Sequence, residues 1–192
     1  MQDFTRPSGR LRRLPIAARL VYSIFLVFTL VGLAMTGWLA GDMLGPNLSR
    51  LRSYYRGDPA VPMELRGPAG SEGGPQIDVP PEAAEPPPAE IMPLRKLLEV
   101  THFHLFSMPV ILMVLSHLFM LAGWSERAKV SWIGVGTVSV VAHLIAPWLV
   151  RGNQALGPAV YAWSGGLMAL AFVIMAAVPL WEMWAPAPRP PE

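Results

Sequence analysis

The four histidines of this 192-residue chain all fall in or at the edges of long uncharged stretches. His102, His104 and His117 share one stretch, and His143 lies in the next. Neutral imidazole is a common metal ligand and changes charge near physiological pH. An ionisable group in hydrocarbon is expensive, so one found there marks a candidate functional site. The plainer role is a hydrogen bond to a backbone carbonyl or a Ser of a neighbouring helix, which also ties helices together. Two imidazoles facing one another at one depth, on two helices, form the ligand pair that a b-type haem needs.

Composition explains why the surroundings are hydrocarbon. The chain is 53% hydrophobic and 15% charged, against about 25% charged in soluble domains. Crossing a bilayer takes about 20 apolar residues. Four stretches are that long: residues 20–41, 97–122, 130–150 and 158–181. Short connections at 123–129 and 151–157 make successive spans antiparallel neighbours. The expected fold class is all-α, an integral membrane four-helix bundle with a disordered Pro-rich extracytoplasmic loop.

Arg6, Arg10, Arg12, Arg13 and Arg19 precede the first span, and Arg127 and Lys129 sit between the second and third. Arg151 alone separates the third from the fourth. Lys and Arg accumulate on the cytoplasmic side. That rule puts residues 1–19, the 123–129 connection and the 182–192 tail in the cytoplasm, and residues 42–93 outside a bacterial inner membrane. The basic N-terminus is then topological, and nucleic-acid binding becomes unnecessary. The first apolar core exceeds the roughly 7–15 residues of a signal-peptide core, so it reads as a retained anchor. Trp38, Trp124, Trp132, Trp148, Trp163, Trp181 and Trp184 fall at span ends, as an interfacial belt requires. Outside, residues 47–55 suit a short helix capped by Asn47, with Leu48, Leu51, Tyr54 and Tyr55 on its apolar side. Residues 58–93 lack aromatics and carry the run Pro80, Pro81, Pro86, Pro87 and Pro88. Such a segment cannot build a core and reads as an extended linker.

Depth sorts the histidines. His104 lies about seven residues inside the outer end of the second span, and His143 about seven inside that of the third, roughly 10 Å in each case. Antiparallel neighbours therefore set them level. Gly165 and Gly166 of the fourth span, and Thr36 and Gly37 of the first, fall at the same level and leave room for a porphyrin or simply for close packing. Pro109 and Pro147 each remove a helix hydrogen bond near the pair.

His102 and His104 are two residues apart and point about 200° from one another on a helix, so they cannot both ligate one iron. Glu99 precedes His102 by one turn and shares its face, which permits a Glu–His pair or a plain surface ion pair. His117 lies deeper, about 22 Å below His102. No second His matches that depth. Met175 is level with it as a conceivable axial ligand, although core packing is the commoner use of Met, and a His117 bonded to a Ser is the default reading. The chain has no Cys, so covalent c-type haem, disulfides and Cys-ligated clusters are all excluded.

The run Glu99-Val-Thr-His102-Phe-His104-Leu-Phe106 resembles the [ST]-H-x-H-L-F sequence of a family of small four-helix bacterial inner-membrane proteins. The resemblance continues through Tyr55-Arg-Gly57, Leu65-Arg-Gly67-Pro68, Gly165-Gly166-Leu-Met168 and Trp181-Glu-Met183-Trp184. It spans most of the chain outside the Pro-rich linker and covers His102 and His104 rather than His117 or His143. Some members are labelled as a translation elongation factor, a name this sequence contradicts by lacking any Gly-rich phosphate loop ending in Lys-Ser or Lys-Thr. Longer members carry a c-type haem motif between the first two spans, which implies electron transfer. The function of the family is not established.

Two functional expectations follow. One is a membrane electron-transfer subunit binding one haem b between the second and third spans through His104 and His143, with His102 as the other candidate ligand. Its partners would be a periplasmic cytochrome or respiratory-complex subunits. The other is a non-catalytic accessory or scaffold subunit whose histidines are structural. A metal or proton site built on Glu99, His102 and His104 is disfavoured because the two imidazoles diverge. Acidic residues are nearly absent from the spans, so paired-carboxylate catalysis has no basis there.

Overall fold

The computed structural model describes residues 11–44, 48–56, 91–152 and 154–186. They form a 3-10 turn, Leu11–Arg13, and five helices: α1 (Ile16–Leu44), α2 (Ser49–Arg56), α3 (Leu94–Met120), α4 (Glu126–Arg151) and α5 (Gly157–Trp184). No strand occurs among the described residues, so the fold is all-α. Asn47 and most of the Pro-rich segment lie outside them.

Four of the helices are long and apolar enough to cross a membrane. Their outward faces agree with that. Val21, Phe28, Met35 and Trp38 of α1 are all exposed, as are Val138 and Val141 of α4. A largely apolar outward surface of this kind suits lipid and not water. The chain is a multi-pass membrane protein.

Short signals start and stop the spans. Ser125 accepts the Ala128 N–H at 3.3 Å and caps α4. Pro158 occupies the first turn of α5, where its missing N–H costs nothing. Between α4 and α5 the backbones meet closely at Gly157. A Cβ there would lie 2.6 Å from the Val150 nitrogen.

α5 is the central element, packing against α1, α3 and α4 and against the 3-10 turn. Water does not drive helix association inside a bilayer, so fit between surfaces must do so. At Gly136 of α4, an added Cβ would stand 3.1 Å from Met175 Cε and 3.2 Å from Leu112 Cδ1. That close seam joins α3, α4 and α5. The main core, with Leu26, Leu115, Phe119, Phe172 and Met175, fills the end of the bundle nearer the 3-10 turn.

Polar bonds lock this basal end. The Glu182 carboxylate accepts the Gly123 N–H at 2.9 and 3.0 Å. Arg12 donates to the Glu182 carbonyl at 3.3 Å, and Arg19 donates to the Arg12 carbonyl. Lys129 is buried, with its ammonium on the Met120 carbonyl at 2.9 Å and on Glu126 at 3.2 Å.

A smaller cluster closes the opposite end. Leu51 and Tyr55 of α2 pack with Met92, Leu97 and Val150, against Trp148 and Tyr161. Met92 N–H donates to the Tyr54 carbonyl at 2.9 Å, and Arg151 donates to the Met92 carbonyl at 2.7 Å. α2 is thereby fastened as a cap over α4 and α5. The candidate site lies beneath it.

Candidate functional site

His104 is half-buried on α3, and its Nδ1 stands 2.7 Å from the Val100 carbonyl. A carbonyl only accepts, so the proton belongs on Nδ1, and Nε2 of the neutral ring carries the free lone pair.

His143 of α4 reaches the same state by a different route. Its Nδ1 lies 3.2 Å from Ser164 Oγ, and that hydroxyl donates to the Tyr161 carbonyl at 3.2 Å. Ser has one proton to give. With that proton on the Tyr161 carbonyl, Ser164 is an acceptor for His143 Nδ1–H, the tautomer in which Nε2 carries the lone pair. The Tyr161 ring lies against the imidazole with centroids 4.8 Å apart. Gly165 adjoins the other edge, where a Cβ would lie 3.2 Å from His143 Cε1.

Above them the polar contacts continue. Trp148 Nε1 donates to Thr101 Oγ1 at 3.1 Å, and Thr101 donates to the Leu97 carbonyl at 2.8 Å, which ties α4 to α3 one turn from His104. Tyr55 of α2 hydrogen-bonds Tyr161. Burial, and then the neighbouring Tyr161, push the Tyr55 phenol far above its ordinary pKa, so it stays protonated.

The other candidates sit elsewhere. His102 is exposed and points away from His104, with its ring edge-on to Phe106 at 5.1 Å. Glu99 pairs with Arg95 at 3.4 Å and Lys96 at 3.7 Å and not with His102, because both cations lie on the preceding turn and reach it first. His117 is exposed on α3. Met175 is fully buried in the core, where Ser116 donates to its sulfur at 3.9 Å, so it is not brought to His117. Gly166 has nothing within 4 Å of its Cβ position and does not share the Gly165 contact. Thr36 and Gly37 face outward on α1: Thr36 bonds back to the Gly32 carbonyl at 2.9 Å, and Gly37 is open.

Ser164, Tyr161, Thr101 and Tyr55 were not singled out as site residues in the sequence. The spacing Tyr161, Ser164, Gly165 puts all three on one face of α5, a signal that was available. No group of three or more His, Cys, Asp or Glu that would hold a metal ion occurs among the described residues. What the bundle does assemble is two imidazoles, each held through Nδ1 by a partner on the protein. That donor set suits axial ligation of a haem iron.

No curated protein and no solved structure matches the chain. A family profile described as a transmembrane helical domain matches residues 45–190, which takes in α2 to α5, the cap and both histidines of the pair. That match covers most of the sequence, and the chain belongs to the Aq_1264_TM family of transmembrane helical domains.

Proposed function

We propose that the protein is a membrane electron-transfer subunit that binds one haem b through His104 and His143, beneath the α2 cap. One observation carries this reading: both imidazoles are held through Nδ1, His104 by the Val100 carbonyl and His143 by Ser164, an arrangement that leaves Nε2 as the ligating nitrogen. A bound haem supplies one-electron chemistry. The chain's own residues do the rest. Val100 and Ser164 orient the ligands, Gly165 clears space beside His143, and Trp148, through Thr101, ties together the two helices that carry the pair. In this reading the protein sits in a bacterial inner membrane with both termini in the cytoplasm. It exchanges electrons with a periplasmic cytochrome or a respiratory-complex subunit.

A second reading is an accessory or scaffold subunit. The bonds from Ser164 to His143 and from Trp148 to Thr101 favour it, since both also fasten helices together. An absorption spectrum separates the two. Protein produced with haem available should show a reducible Soret band and a sharp α-band that vanish in the His104→Ala, His143→Ala double variant. A colourless preparation leaves the scaffold reading.

A further inference from the structure

Of the four spans, α3 alone presents ionisable side chains outward within its apolar length. His102 and His117 are both exposed. The outward faces of the others are hydrocarbon there, as at Phe28 and Met35 on α1, Val138 and Val141 on α4, and Leu170 and Val173 on α5. Their outward Thr36 and Thr137 hydroxyls are satisfied by their own helices. Among the described residues no polar group bonds either imidazole. Ionisable residues in spans almost always face protein or a water-filled cavity. The exposed face of α3 therefore needs a cover.

The pattern on that face says what the cover is. His102, Phe106, Pro109, Met113, His117 and Met120 recur at intervals of three or four residues. At 100° per residue those intervals keep all six within about 80° of one face of α3, a stripe that a neighbouring helix can cover. Phe106, Met113 and Met120 are 66%, 64% and 50% exposed, so the seam is unfilled within one chain. The two histidines lie about 22 Å apart along it. A foreign helix would have to bring a polar partner at each of two distant levels. A second copy of this chain, related by a two-fold axis along the membrane normal, brings one at both, because that symmetry sets each residue against its own counterpart. Neutral imidazole has one donor and one acceptor and so complements itself. At the end of the seam, Arg95 and Glu99 sit one turn apart with a contact of 3.4 Å. The same axis lets the Arg95 of one protomer reach the Glu99 of the other, a self-complementary charge pair.

We infer that the protein is a parallel homodimer joined through α3, with His102 against His102 and His117 against His117 at the interface. This goes beyond the haem reading and does not rest on it.

The chain contains no Cys, so single cysteines report without background. Full-length Met113→Cys protein, oxidised with copper phenanthroline in native membranes, should give a covalent species of twice the chain mass. Val138→Cys and Leu170→Cys, on the outward faces of α4 and α5, should stay monomeric. No Met113 cross-link, equal cross-linking at the other two sites, or a product of any other mass overturns the proposal. A second measurement is a dilution series in detergent. The His102→Leu, His117→Leu double variant, checked for helicity, should dissociate more readily by about threefold to tenfold per His pair. An unchanged dissociation constant overturns it. The absorption spectrum of the same samples keeps the outcome separate from haem binding, since a colourless protein that still cross-links at position 113 leaves the dimer standing.

Discussion

Ser164 stands between His143 and the Tyr161 carbonyl, and the direction of its single proton decides the state of the imidazole. It donates to Tyr161 at 3.2 Å and accepts from His143 Nδ1 at 3.2 Å. Ser164→Ala should remove that control. With a buried donor left unmet, the protein should lose about 1–3 kcal/mol of stability. The haem-to-protein ratio after reconstitution should fall, while Ser164→Thr should keep most of it. Pyridine haemochrome assay with thermal unfolding in detergent measures both.

Gly165 and Gly166 should respond differently. A Cβ at 165 meets the His143 ring at 3.2 Å, whereas at 166 it meets nothing. Gly165→Ala should shift the spectrum or the midpoint potential of a haem held by His143. Gly166→Ala should leave both unchanged.

At Gly157 the obstruction is backbone, with Val150 nitrogen 2.6 Å and Leu149 carbon 2.8 Å from a Cβ. Nothing there can rotate aside. Gly157→Ala should cost about 1–3 kcal/mol, as overpacking does. Gly134→Ala, into open space, should be within about 0.5 kcal/mol of the parent. Melting curves of the two variants side by side decide it.

The pH response of the cap follows from Tyr55. Its pKa is raised in the folded protein. A raised phenol pKa stabilises the fold fully below the ordinary tyrosine value of about 10 and loses that contribution as pH rises toward the folded value. The α2 cap should therefore loosen above about pH 10, and Tyr55→Phe should flatten this dependence. Proteolysis near Arg56, followed between pH 8 and 11, reads the opening, with phenolate absorbance as a second probe.

Much of the fold was legible because length and charge decide it. An uncharged run of about 20 residues crosses a bilayer whatever its neighbours do. The divergence of His102 from His104 followed from 100° per residue. Other relationships were not legible. In lipid the outward face of a span is as apolar as the inward one, so periodicity does not say which side of α5 holds Tyr161 and Ser164, or that α5 is central. Equal depth placed Thr36 and Gly37 level with the pair, but depth carries no azimuth, and both face away. Glu99 shares a face with His102, yet same-face spacing cannot rank partners. Arg95 and Lys96, on the preceding turn, take the carboxylate at 3.4 and 3.7 Å.

The hydrogen bond from Met92 to the Tyr54 carbonyl has a consequence for how the sequence can vary. The chain departs after Arg56 and returns at Met92 beside its point of departure, and Arg151 anchors that return. The cap therefore holds together the two points, Arg56 and Met92, between which the intervening sequence runs. Its two ends are already joined, so doubling its length adds only about 0.6 kcal/mol of closure entropy. The membrane helices need not register the change. The bond from Met92 to Tyr54 and the anchor from Arg151 fix both ends whatever the sequence between them, so the histidine pair beneath the cap keeps its supports.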